Sequence, residues 1–217
     1  MSIKIILADD HAVLRHGLSK AFLNETDMEV VAQAKDGRTT VELVRELKPD
    51  VVIMDIGMPD LNGIEATRQI VSEWPNVRIV ALSMHSGKNF IMEMFKAGAS
   101  GYLLKDCEFD ELANAVRVVH GGKTYVSPSI SDVVIESTMQ GNPQRKDSAF
   151  AVLTKREREI LQLLTEGQTT KQIARNLHIS TKTVEVHRLN IMNKLKIDSI
   201  AQLTKYAIQE GLTQPEP

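Results

Sequence analysis

At 217 residues, with 42% hydrophobic and 25% charged residues, the chain has the composition of one or two ordinary globular domains. No apolar run nears the roughly 18 residues of a membrane span, the first strand begins without a signal-peptide pattern, and one cysteine cannot form an internal disulfide, so a cytoplasmic protein without a membrane partner is expected. The formal net charge of −2 conceals an asymmetry: residues 1–140 carry 14 Lys+Arg against 20 Asp+Glu, and residues 141–217 carry 12 against 8.

In chain order, Ile3-Lys4-Ile5-Ile6-Leu7-Ala8 is an apolar run closed by Asp9-Asp10. His11 to Asn24 has helical spacing, Met28 to Ala34 is a strand, and Thr39 to Leu47 is a helix. Val51-Val52-Ile53-Met54 is a second apolar run closed by a carboxylate, Asp55, and followed by the loop formers Gly57, Pro59, Asn62 and Gly63. A short unbroken apolar run between turn residues reads as a buried strand of a parallel sheet. Ile64 to Trp74 is helical, Val77 to Leu82 is a strand closed by Ser83, and Asn89 to Ala97 is helical. Gly101 to Leu104 is a strand closed by Lys105, and Phe109 to His120 is helical. Strand–helix alternation repeated five times predicts an α/β doubly wound, five-stranded parallel sheet. Residues 125–139 are expected to hold a short extra helix, and the polar, breaker-rich run 140–148 a linker.

Sites in open parallel sheets lie outside the carboxyl ends of the strands. If the first and third strands are neighbours, Asp9, Asp10 and Asp55 converge there. Three close carboxylates need a cation or a raised pKa, and Mg²⁺ suits such a pocket. Lys105, at a neighbouring strand end, offers a point cation to a phosphoryl oxygen, and Ser83 a hydroxyl.

Asp9-Asp10, Asp55 with Met58-Pro59 and Gly63, Ser83 after Ile79-Val80-Ala81-Leu82, and Lys105 after Gly101-Tyr102-Leu103-Leu104 together resemble the flavodoxin-like receiver domain of bacterial two-component response regulators. The resemblance implies that Asp55 takes a phosphoryl group from a sensor histidine kinase. It implies that Asp9, Asp10, Asp55 and the carbonyl of Gly57 hold Mg²⁺, that Ser83 and Lys105 bind phosphoryl oxygens, and that Tyr102 is the aromatic switch. Gly57, two residues after Asp55, and His85, two after Ser83, are expected to influence phosphoryl lifetime.

The last seventy residues are different. Thr154-Lys155-Arg156-Glu157 is a capping box, followed by Ile160, Leu161, Leu163 and Leu164 on one face and Gly167 as a stop. Thr170 is expected to cap a second short helix, His178-Ile179-Ser180 to turn the chain, Thr181 to open a third helix, and Ser199 a fourth. This is a helix-turn-helix pattern. Leu153-Thr154-Lys155-Arg156-Glu157, Lys171-Gln172-Ile173-Ala174, Ile179-Ser180-Thr181-Lys182-Thr183-Val184-Glu185-Val186-His187-Arg188 and Ile191-Met192-Asn193-Lys194-Leu195 closely resemble the all-α, four-helix LuxR-type DNA-binding domain. With a receiver in front, the whole chain resembles the NarL/FixJ family. The expected boundaries are 1–122 for the receiver, 123–149 for the extra helix and linker, and 150–217 for the helix-turn-helix domain.

By that resemblance, the helix 181–194 enters the major groove of promoter DNA. It presents Lys182, Glu185, Val186, Arg188 and Leu189, with Lys171, Lys182, Thr183, Arg188 and Lys194 as phosphate contacts. The last helix, near Leu203 and Ala207, resembles a dimer contact. The expected protein is a phosphorylation-controlled transcription factor, not an enzyme, that forms a homodimer on activation. Its partners are a sensor kinase and DNA, and RNA polymerase is a further partner that the resemblance allows. An aspartate phosphatase would want a second aspartate where Gly57 stands. A module controlled by a bound ligand would leave Asp55 dispensable.

Overall fold

The computed structural model describes residues 2–139 and 148–213. The chain divides into two compact units, residues 1–141 and 142–217. Most of the expected linker lies outside the described residues.

The first unit alternates strands β1 (Ile3–Ala8), β2 (Met28–Ala34), β3 (Val51–Met54), β4 (Arg78–Ser83) and β5 (Gly101–Leu104) with helices α1 (Ala12–Phe22), α2 (Gly37–Leu47), α3 (Gly63–Glu73), α4 (Lys88–Ala97) and α5 (Phe109–His120). A sixth strand, β6 (Tyr125–Val126), a 3₁₀ turn and helix α6 (Ser131–Met139) follow. The six strands among the described residues are all parallel, in the order β2-β1-β3-β4-β5-β6. The five-stranded expectation is therefore one strand short. β6 pairs through Gly101 with Tyr125 and Tyr102 with Val126, and two residues are too few to show a period. The pairing takes residues 125–139 into the first unit, and α6 lies against α4. It also makes β5 an interior strand.

Every residue of β3 is buried, as a strand covered on both faces requires. Ile5, Leu7, Val51, Ile53, Val80, Leu82 and Leu103 pack with Phe22 and the α5 residues Leu112, Val116 and Val119. After β1 the chain winds outward to β2, then returns to β3 on the other side of β1. This is the switch point where an open sheet leaves a crevice.

The second unit consists of α7 (Ala149–Val152), α8 (Lys155–Thr165), α9 (Thr170–Asn176), α10 (Thr181–Leu195) and α11 (Ile200–Glu210). Thr154 closes the capping box on α8. Thr169, one residue before the expected cap, closes a second capping box on α9 with Gln172. The short α7 was not expected. Its Ala149 is buried in the helical core, and the Ala149 N–H donates to Glu210 Oε2 at 2.9 Å, which ties it to α11. Among the described residues no helix is long and apolar enough to cross a membrane.

Candidate functional site: an acidic pocket and a DNA-reading helix

Register brings the acidic groups together. Ala8 of β1 is level with Met54 of β3, and the Asp55 N–H donates to the Ala8 carbonyl at 2.8 Å. Asp9 and Asp55 thus leave neighbouring strands at the same height. Asn62 caps α3 by accepting from the Glu65 N–H at 2.9 Å. A Cβ on Gly63 would stand 1.9 Å from the Asp55 carbonyl oxygen, so only glycine lets α3 begin against the backbone of Asp55.

Asp9 and Asp55 are buried and Asp10 is exposed. The Lys105 ammonium lies 2.8 Å from Asp9 Oδ2 and 2.8 Å from Asp55 Oδ2. Burial raises the Asp55 carboxyl to about 6; Lys105 opposes the rise, and Asp9 and Asp10 add to it. One ammonium cannot balance three carboxylates. The excess of hard oxygen donors fits Mg²⁺, which takes oxygen ligands and keeps several waters.

His11 is the residue that sequence reasoning missed. Its Nδ1 lies 3.1 Å from Asp9 Oδ1 and 2.9 Å from Asp10 Oδ1, and its side chain joins the three acids in one cluster of potential ligands. Its position directly after Asp9-Asp10 was the available signal. A nitrogen donor is a poorer partner for Mg²⁺ than the carboxylates beside it.

Ser83 and Tyr102 meet at the loop after β4. The His85 N–H donates to Ser83 Oγ at 3.0 Å, and the Tyr102 hydroxyl donates to the His85 carbonyl at 2.6 Å. Tyr102 is fully buried, and desolvation holds its hydroxyl well above the usual phenol range. The His85 ring stacks on Phe90 at 4.1 Å. Burial, then the Lys105 charge, lowers the His85 imidazole. The Gly57 N–H lies 3.5 Å from Asp55 Oδ1.

In the second unit, Val184 and Ile191 anchor α10 in the core. His178 adopts φ +52° in the tight turn before it, and Ser180 caps α10 by accepting from the Thr183 N–H at 3.0 Å. Lys171, Lys182, Thr183, Glu185, Val186 and Leu189 are exposed, and Arg188 is half-buried. Lys194 is engaged differently: its ammonium lies 2.7 Å from Oε2 of the buried Glu157, so α10 is braced against α8. Leu203 and Ala207 do not form a surface. Both are fully buried in the helical core, which corrects their assignment as dimer contacts. The exposed positions of α11 are Ile200, Ala201, Gln202, Lys205 and Gln209.

A doubly wound receiver with an acidic pocket at its switch point, followed by a helix-turn-helix unit, defines a phosphorylation-type signalling protein that acts on DNA. Residues 5–117 match the response regulator receiver domain and residues 151–207 the luxR family of bacterial regulatory proteins. The chain belongs to the NarL/FixJ family of two-component response regulators, which are DNA-binding transcriptional regulators. It is 39% identical to the oxygen regulatory protein NreC of Staphylococcus carnosus, over 97% of this chain and 99% of that protein. It is 37% identical to the transcriptional regulatory protein DegU of Brevibacillus brevis, over 96% of this chain and 94% of that protein. Among solved structures, the response regulator ChrA of a heme-sensing two-component system aligns with a TM-score of 0.54 and 33% identity, over 97% of this chain and 98% of that one.

Proposed function

We propose that Asp55 accepts a phosphoryl group from a sensor histidine kinase, and that the acyl phosphate shifts the chain toward a dimer that binds promoter DNA through α10. The observation that carries this reading is the Lys105 ammonium set 2.8 Å from both Asp9 and Asp55. A buried carboxylate beside a buried cation, at a strand end facing solvent, is poised as a nucleophile whose product charge is already partly matched.

Asp9, Asp10 and Asp55, with the carbonyl of Gly57, would hold Mg²⁺. The ion supplies charge neutralisation for the phosphoryl oxygens, which in-line transfer needs more than it needs a base. Lys105 leaves its bridge to Asp55 and binds a phosphoryl oxygen. The group brings a charge of about −1.5 to −2. Ser83, whose hydroxyl accepts from the His85 N–H, turns its own hydrogen to that charge. Because the His85 carbonyl also holds the Tyr102 hydroxyl, movement of Ser83 strains one short loop and the buried tyrosine together. That coupled loop is the two-state element that phosphorylation biases.

On DNA, Lys171, Lys182, Thr183 and Arg188 contact phosphates, while Glu185, Val186 and Leu189 face base edges. Lys194 acts mainly as the brace to Glu157. A dimer contact on α11 falls to the Ile200, Ala201, Gln202 and Lys205 surface.

The test treats wild type and Asp55→Asn with Mg²⁺ and acetyl phosphate, then measures mass, solution size and DNA affinity. Wild type is expected to gain one phosphoryl group, dimerise and bind DNA more tightly, and Asp55→Asn to do none of these. Equal DNA affinity of the wild type before and after phosphorylation would remove Asp55 from control.

A further inference from the structure

The fold gives the His11 side chain no structural task. His11 stands at the N-cap of α1, where Ser, Thr, Asp or Asn would satisfy a free helix N–H, yet its side chain makes no capping hydrogen bond. The side chain is 56% exposed, so it is not a core residue. Its Nδ1 instead faces the acidic pocket, 3.1 Å from Asp9 Oδ1 and 2.9 Å from Asp10 Oδ1. The His11 backbone N–H donates to Asp9 Oδ1 at 2.7 Å, which fixes the turn that carries Asp9, Asp10 and His11. One ligand atom from each of Asp9, Asp10, His11 and Asp55 lies within 4.8 Å of every other. That is close to the separation of opposite ligands around an octahedral ion, about 4.2 Å.

Three carboxylates alone would serve Mg²⁺. An imidazole nitrogen beside them changes the order of preference, because nitrogen donors favour divalent first-row transition ions and add little for Mg²⁺. We infer that His11 Nδ1 is a metal ligand, and that it makes the pocket prefer a divalent transition ion to Mg²⁺. The neutral ring binds through the Nδ1 lone pair and keeps its proton on Nε2. Affinity then rises from Mn²⁺ to Ni²⁺, the order that such ions follow at mixed nitrogen and oxygen sites. This inference rests on the reading that the acidic pocket holds the ion that neutralises the phosphoryl group, and it names the class of that ion.

The experiment titrates the metal-free full chain with Ni²⁺ and with Mg²⁺ by calorimetry. Pulsed electron paramagnetic resonance of the chain loaded with Mn²⁺ then looks for coupling to an imidazole nitrogen. Wild type is expected to bind Ni²⁺ more tightly than Mg²⁺, with each ion displacing the other, and to show the nitrogen coupling. His11→Ala and His11→Gln should lose the coupling and at least about tenfold in Ni²⁺ affinity, the lower end of the cost of removing even an outer partner of a metal ligand. Both variants should keep the Mg²⁺ affinity of wild type. Mn²⁺ that Mg²⁺ displaces but that shows no nitrogen coupling in wild type overturns the inference; Nδ1 is then only a proton donor to Asp9 and Asp10, and the carboxylate pocket for Mg²⁺ stands. The wild-type measurement needs no variant to fold. Failure of wild type to bind either ion, or binding of both ions by Asp55→Asn as tightly as by wild type, overturns the pocket reading together with the inference.

Discussion

Asp55 is a carboxylate whose surroundings disfavour its charge. Burial, with Asp9 and Asp10 nearby, raises its carboxyl to about 6 against the opposing Lys105. Its folded pKa thus lies above the ordinary aspartate value of about 3.9, and the folded chain binds more protons than the unfolded chain between those two pH values. Stability of the metal-free protein therefore falls as pH rises from about 4 through about 6 and stays reduced above. Mg²⁺ acts against this penalty. Thermal melts should show a larger Mg²⁺-induced rise in Tm at pH 7.5 than at pH 5, where Asp55 is largely protonated. A rise independent of pH would place the ion elsewhere. Asp9, Asp10, Asp55, Ser83 and Lys105 were legible because each ends an apolar run. His11 was not, because a single histidine at the N-cap of α1 carries no period of its own, and only the folded chain turns its ring back onto Asp9 and Asp10.

Elements, not single residues, set the precision of both sites. The start of α3 rests on the Asp55 backbone through Gly63. Gly63→Ala forces a Cβ to within 1.9 Å of a carbonyl oxygen, and overpacking of this kind costs about 1–3 kcal/mol or more. The variant should unfold at lower temperature and accept phosphate more slowly, as a melt and a phosphorylation time course would show. An unchanged pair of values would mean that α3 can shift without moving Asp55. In the second unit, the elements are locked by charge. Burial alone would raise the Glu157 carboxyl, but the Lys194 ammonium and the Thr154 amide and hydroxyl outweigh it and hold it below the ordinary glutamate range. A depressed carboxyl contributes stability above its unfolded pKa, near 4.3, and loses it as pH falls through the lower folded value. Lys194 is more than a third exposed, so the bridge is discounted for solvent screening. Glu157→Gln should destabilise this unit by about 1 kcal/mol at pH 7, and the gap to wild type should close below pH 4 in denaturant titrations. A gap that persists at low pH would assign the loss to packing.

Across the whole molecule, the charge asymmetry has a use. On the proposed reading, an acidic receiver resists non-specific attraction to nucleic acid, while the surplus of Lys and Arg in the second unit would supply phosphate contacts. Each such contact releases counterions, so Lys171→Ala and Lys182→Ala should each reduce the slope of log affinity against log salt by about 1 and weaken all sequences alike. A change confined to one sequence would make the lysine a base reader instead. Val186→Ala, by contrast, should leave that slope unaltered.

Local chemistry in the sequence determined most of this protein. Apolar runs closed by polar residues marked four of the strands together with their candidate site residues, and Thr154 with Glu157 marked the start of the DNA-binding unit. These signals are local because strand burial, capping and turn formation depend on residues a few positions apart. Tertiary structure alone decided the rest. A two-residue strand such as Tyr125–Val126 exists only because β5 offers an unpaired edge. The four residues of α7 are held by Glu210, which is 61 residues away from Ala149. The same limit separates Leu203 and Ala207 from Val186 and Leu189. All four repeat at helical spacing, and only the packed bundle settles that the first two are core and the second two face solvent, because periodicity gives a helix its faces but not the neighbour that covers one of them.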